Sequence, residues 1–217
     1  MTFHRIKEGL KFNAAIALFL VVGSNVKAQL YNDFAESKKE VIFIEEFNEI
    51  PLSTFKVKGN KTKVEEGRLI GRHNELSSTK AFNLETVENF EIEVNVKHEI
   101  LYQSSFKIIW ERAPKSGKYD NPNLLYMRHL DKDVIFSAAQ FGPNGLLKIE
   151  KPGFAYYLNT NGFNKYTFRY ISGKYQFFIN EKFVGELIYK LSGPQVLKIR
   201  PYSTKYELDM LRVSILR

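Results

Sequence analysis

From Val41 to Leu216 the chain repeats one pattern: short runs of β-branched and aromatic residues, each ended by a residue that favours a turn. The most regular run, Phe90-Glu91-Ile92-Glu93-Val94-Asn95-Val96-Lys97, alternates apolar and polar without a break. Successive side chains of an extended strand point to opposite faces, so this pattern reads as a strand with one face buried. Val41–Ile44, Ser105–Glu111, Leu124–Leu130, Val134–Ala138 and Leu146–Ile149 are further strands, the last after the turn signal Pro143-Asn144-Gly145. Tyr166–Ile171 and Lys174–Ile179, joined by Ser172-Gly173, carry a hairpin signature, and Asn180-Glu181 makes a second reversal into Lys182–Gly185. Val196–Ile199 and Tyr206–Leu216 close the series.

No stretch after residue 28 keeps a 3.6-residue apolar stripe over three turns. Glu36–Ile44 has room for a short helix, but its β-branched end favours a strand. The 18 Phe and 12 Tyr, against 3 Met and 1 Trp, point the same way. About a dozen strands at this spacing predict an all-β protein, a two-sheet antiparallel β-sandwich. With no internal linker, the expected organisation is a polar tether over 29–40 and a single domain over 41–217.

Residues 1–28 read as an export signal. Arg5, Lys7 and Lys11 precede an apolar run, Ala14–Val22, and Val26-Lys27-Ala28 has small residues at the two positions a signal peptidase reads. The run is well short of the roughly 20 residues that span a bilayer, so cleavage before Gln29 and an exported mature chain without a transmembrane segment are expected. This tempers the net charge of +8, because Arg5, Lys7, Lys11 and Lys27 leave with the signal and only Glu8 offsets them. The remaining Lys and Arg are dispersed among Glu and Asp, which argues for a solvated surface and against a nucleic-acid partner. The absence of cysteine excludes disulfides, thiol nucleophiles and cysteine zinc sites.

Four segments share their order and pattern with one family. They are Phe47-Asn48-Glu49 with Gly67-Arg68-Leu69-Ile70; Asn89-Phe90-Glu91-Ile92-Glu93-Val94; Tyr166-Thr167-Phe168-Arg169 with Tyr175–Lys182; and Leu208-Asp209-Met210-Leu211-Arg212-Val213. Together they resemble the concanavalin A-like lectin/glucanase superfamily, including its laminin-G-like jelly-roll modules. The resemblance implies a jelly roll and chooses no activity, since lectins, glucanases and lyases share that fold. Glu181 stands where glycine is usual in the hairpin motif.

Laminarinase-type glucanases of the superfamily place E-x-D-x-E on one strand face, and Glu91-Ile92-Glu93-Val94-Asn95 is similar to it. Retaining hydrolysis needs two carboxyls about 5–5.5 Å apart, one of them a proton donor. Asn95 fills the third position, and an amide cannot donate and recover a proton. Glu91 and Glu93 are therefore weak catalytic candidates, expected to form the solvated face of an ordinary strand. The histidines are scattered, no G-x-S-x-G elbow occurs, and Asp120–Asn123 and Asp131–Asp133 lack a known calcium-loop spacing. No cofactor or metal is expected.

The stronger binding signal surrounds one loop. Trp110 ends a strand, Tyr119 and Asn121 lie in the Pro/Gly/Lys-containing segment after it, and Tyr126, Arg128 and His129 occupy the next strand. Flat rings and planar polar groups suit sugars. Alternation assigns Tyr126 and Arg128 to one face, while Trp110 shares a face with Phe106 and Ile108 and so also reads as core. The sequence thus predicts an exported, non-catalytic module that binds a glycan or another envelope component. The alternatives are a glycan-active hydrolase or lyase of the same fold and a structural protein-interaction domain. The oligomeric state stays open.

Overall fold

The computed structural model describes residues 39–217 apart from 51–52, 60–61, 73, 85, 100–104, 113–123, 131–132, 143–144, 152–156, 189–192 and 203; at 105, 112, 124–130, 133–142, 145–151 and 202 it describes the backbone. These residues carry β1 (Lys39–Glu45), β2 (Phe55–Lys58), β3 (Thr62–Glu65), β4 (Arg68–Arg72), β5 (Glu75–Ser78), β6 (Asn89–His98), β7 (Ser105–Arg112) and β8 (Leu124–Leu130). They continue with β9 (Asp133–Gly142), β10 (Gly145–Lys151), β11 (Asn164–Ile171), β12 (Lys174–Ile179), β13 (Lys182–Ile188), β14 (Gln195–Tyr202) and β15 (Lys205–Leu216). Among the described residues there is no α-helix.

The strands form two antiparallel sheets. One has eight strands, in the order β13-β12-β11-β6-β15-β4-β3, with β1 pairing β15 beside β4. The other has seven, in the order β10-β9-β8-β7-β14-β5-β2. The sandwich read from the alternation is therefore present, and Lys39–Glu45 form a strand, β1. β2 to β5 add four strands the alternation did not single out. Each is only four or five residues long, and lysine, threonine and glutamate dilute the apolar signal.

Register explains which residues meet. In β6, Phe90, Ile92, Val94 and Val96 are buried against the facing sheet, where β7 supplies Phe106, Ile108 and Trp110 and β14 supplies Leu197 and Ile199. Trp110 packs between Phe82 and Phe90, ring centroids 5.7 and 6.4 Å away. His98 stacks on Phe106 at 4.7 Å and shares a 3.0 Å hydrogen bond with the Tyr166 hydroxyl. Each large apolar side chain buried this way stabilises the fold by about 1.5–3 kcal/mol.

The turns follow the backbone their residues allow. Ser172 and Gly173 have φ of 46° and 85°, and Asn180 and Glu181 have φ of 50° and 66°. Positive φ at both central residues is the type I′ geometry that matches strand twist. Asn180 also fastens its turn, accepting from the Lys165 backbone N–H at 2.9 Å and donating to the Tyr157 carbonyl at 2.8 Å. Gly71, on β4, leaves space for the Tyr206 hydroxyl, which donates to Asn74 Oδ1 at 2.9 Å.

Candidate functional site

Two outward faces carry the polar chemistry. On the eight-stranded sheet, Glu91 and Glu93 point away from the core, as alternation requires, yet they are only 1% and 2% exposed. The expectation of a solvated carboxylate face is thus corrected. The reason lies in the cross-strand partners: Glu91 is opposite Arg169 on β11 and Ser214 on β15, and Glu93 is opposite Thr167 and Arg212. Arg169 donates to Glu91 Oε2 from Nε at 2.7 Å and Nη2 at 2.6 Å, and its guanidinium lies 4.9 Å from the Phe178 ring centroid. Arg212 donates to Glu93 Oε2 through Nε at 2.7 Å and through Nη2. Lys165 approaches Glu93 at 3.6 Å, and the Lys39 ammonium from β1 bonds Glu91 and sits 3.9 Å from Glu93.

This arrangement holds charge in place. Burial opposes ionisation of Glu91, but the Arg169 guanidinium and the Lys39 ammonium outweigh it and keep its carboxyl below the ordinary carboxylate value. A glycosidase acid needs the opposite shift, so that it carries a proton near neutral pH. Asn95, in the third position, donates to Asp209 at 2.8 Å. The cluster is an ion lock between β1, β6, β11 and β15.

The outer face of the seven-stranded sheet is built differently. Register lines up Lys56 (β2), Ser77 (β5), Lys198 (β14), Ile109 (β7) and Tyr126 (β8) in one row. The next row on that face holds Lys58, Glu75, Arg200, Lys107 and Arg128. A surface groove of about 420 Å³ crosses β2, β5 and β14, lined by Lys56, Lys58, Glu75, Ser77, Thr79 and Lys198. Glu111, also on this face, is buried and ion-paired with Lys198, and Glu75 accepts from Arg200 Nε at 2.5 Å. Glu75 and Glu111 stand two strands apart, about 10 Å, and four residues apart along the register, about 13 Å. That exceeds the separation of either glycosidase geometry.

Of the residues singled out from sequence, Tyr126 and Arg128 fall on this face by backbone register, extending the rows of the groove. His129 is opposite Phe106, on the other side of the pleat. Trp110 is fully buried between the sheets and belongs to the core. Tyr119 and Asn121 lie outside the described residues, as do Asp120, Asn123, Asp131 and Lys132. Sequence reasoning passed over Lys56, Lys58 and Lys198; the alternation in Phe55-Lys56-Val57-Lys58 was the available signal. Among the described residues no group of three or more His, Asp or Glu could hold a metal ion, and no helix is long and apolar enough to cross a membrane.

Comparison with known proteins adds the fold. No protein-family description and no curated protein matches the sequence. Solved structures do match. A Bacillus licheniformis β-glucanase aligns with TM-score 0.63 and 12% identity, over 79% of this chain and 96% of that one. The fold is the concanavalin A-like jelly roll. An endo-β-1,3-glucanase from Pyrococcus furiosus aligns with TM-score 0.66 and 12% identity, over 83% of this chain and 96% of the other. A Bacteroides ovatus GH16 protein of a mixed-linkage glucan locus, bound to a product, shares the jelly roll with TM-score 0.64 and 8% identity, over 80% and 100%. The four segments that carried the resemblance occupy this jelly roll at β4, β6, the β11–β12 hairpin and β15, with Phe47 buried just after β1.

Proposed function

We propose that this chain is exported and engages a polysaccharide along the outer face of its seven-stranded sheet. The observation that carries the reading is the open groove across β2, β5 and β14, lined by lysines and hydroxyls, whose register rows continue through Tyr126 and Arg128. An open groove on a sheet face accommodates a polymer, and its hydroxyl and charged lining reads sugar hydroxyls. The solved structures that share the jelly roll include glucan-cleaving enzymes, which favours a role in glycan cleavage. The described carboxylates favour holding a glycan without cutting it, since Glu91 and Glu93 form an ion lock and Glu75 and Glu111 are too far apart.

One experiment separates the two readings. The purified protein is incubated with a polysaccharide panel, bound polymer is measured by affinity electrophoresis, and new reducing ends or unsaturated products are assayed. Products establish cleavage, and binding without products establishes a binding module. Tyr126→Ala with Arg128→Ala should then cost about 2–4 kcal/mol of affinity, as for loss of a central anchor and its polar partner. Retained affinity in the folded double variant would move the site off this face. Neither binding nor products would favour a protein-interaction domain.

A further inference from the structure

The groove is unevenly charged. The acid that lines it, Glu75, is matched by Arg200, and its Lys198 is matched by the neighbouring buried Glu111. Lys56 and Lys58 are not matched: both are exposed on β2, and among the described residues neither reaches a carboxylate. Being two residues apart on one strand, they point to the same face, about 6.8 Å from each other. Lys198 lies two strands from Lys56, about 10 Å away, in the same row. Ser77 stands between them, and Thr79 completes that side of the groove.

We infer that the groove selects an anionic polysaccharide, one carrying sulfate or carboxylate groups at intervals along the chain. The inference rests on the glycan reading above and adds the ligand's charge. A neutral glycan laid across β2 and β5 would leave two ammonium groups facing it without partners. A chain with one anionic group per repeat would meet Lys56 or Lys58 on β2, while Lys198 stays held against Glu111. Lysine suits this role because its ammonium is a compact point charge on a flexible stem, able to follow sulfate or carboxylate oxygens. Ser77 offers a hydroxyl to the neutral part of the repeat. Sulfated and uronate chains share the anionic oxygens this site would recognise, so both enter the test.

The full chain is titrated with a sulfated galactan, a polyuronate, a neutral β-glucan and duplex DNA, at low and at high salt. The expected result is binding to the sulfated or the uronate chain, weakened by salt and tighter than to the neutral glucan. Lys56→Gln with Lys58→Gln should weaken that binding about tenfold while leaving the circular dichroism spectrum and Tm unchanged. Lys63→Gln, on the other sheet, should leave it unaltered. Equal, salt-insensitive binding of the neutral glucan would overturn the charge selection and leave the glycan reading standing. Tighter binding of DNA than of either anionic glycan would overturn it in favour of a generic polyanion surface. No binding and no cleavage of any polysaccharide would remove the glycan reading and this inference with it.

Discussion

Replacing Arg169 by Met removes the guanidinium that holds Glu91 and keeps most of the side-chain volume. Arg169 is 1% exposed, spans Glu91 Oε2 with two N–H groups and stacks on Phe178. Breaking a buried pair from one side costs about 3–5 kcal/mol, because the other charge stays in a low-dielectric site. Lys39 still reaches Glu91 in the variant, so the lower end, about 3 kcal/mol, is expected. For a chain of this size that corresponds to a Tm about 6–12 °C lower. The double change Arg169→Met with Glu91→Leu should cost less than the sum of the single changes by about 1–3 kcal/mol, since it removes both charges together. Urea titrations of the four proteins, followed by circular dichroism, measure both quantities. An Arg169→Met variant within about 1 kcal/mol of the parent, or strict additivity in the cycle, would refute the ion lock.

The same cluster sets an acid limit. Because Glu91 is held below its ordinary value in the fold, its contribution to stability is complete at neutral pH. It is lost as pH falls below about 4.3 and through the lower native value. Glu91→Gln should therefore flatten the fall in urea midpoint between pH 5 and about pH 3, and an unchanged slope would show that other carboxylates carry it. Gly71→Ala would place a methyl on the Tyr206 hydroxyl and 2.6 Å from Asn74 Oδ1; about 1–3 kcal/mol of destabilisation should appear as a lower Tm. Material recovered outside the cytoplasm should begin at Gln29, and an intact mass that retains residues 1–28 would sink the export reading.

The strands that could be read from sequence are those in which one face is uniformly apolar. The alternation from Phe90 to Lys97 is β6 almost to its ends, and Ser172-Gly173 sits at the tight turn between β11 and β12. Glu181 needed the structure: a residue without glycine's freedom adopts φ 66° there, with its carboxylate 2.9 Å from the Lys165 ammonium. The fate of Glu91 and Glu93 was not legible, because burial of an outer strand face depends on neighbours from β1, β11 and β15, far away in sequence. A strand pattern gives alternation; it does not give cross-strand charge. The groove was half legible. Tyr126 and Arg128 follow from alternation on one strand, whereas Lys56, Lys58 and Lys198 come together only once β2, β5 and β14 are aligned.

β15 supplies the neighbours of β6, β4 and β1, so the eight-stranded sheet depends on a segment synthesised late. Glu93 precedes its partner Arg212 by 119 positions. At about 5–20 residues per second, β6 waits roughly 6–24 s on the ribosome for that guanidinium. During the wait the Glu93 carboxylate must stay hydrated, and the edge of β6 that β15 will cover is open to other chains. Pairing across such separations also raises the contact order and slows folding. A chain halted before Lys205 would thus be caught with a hydrophobic strand face and an uncapped edge, the form most prone to aggregate, and one that should engage chaperones as it emerges.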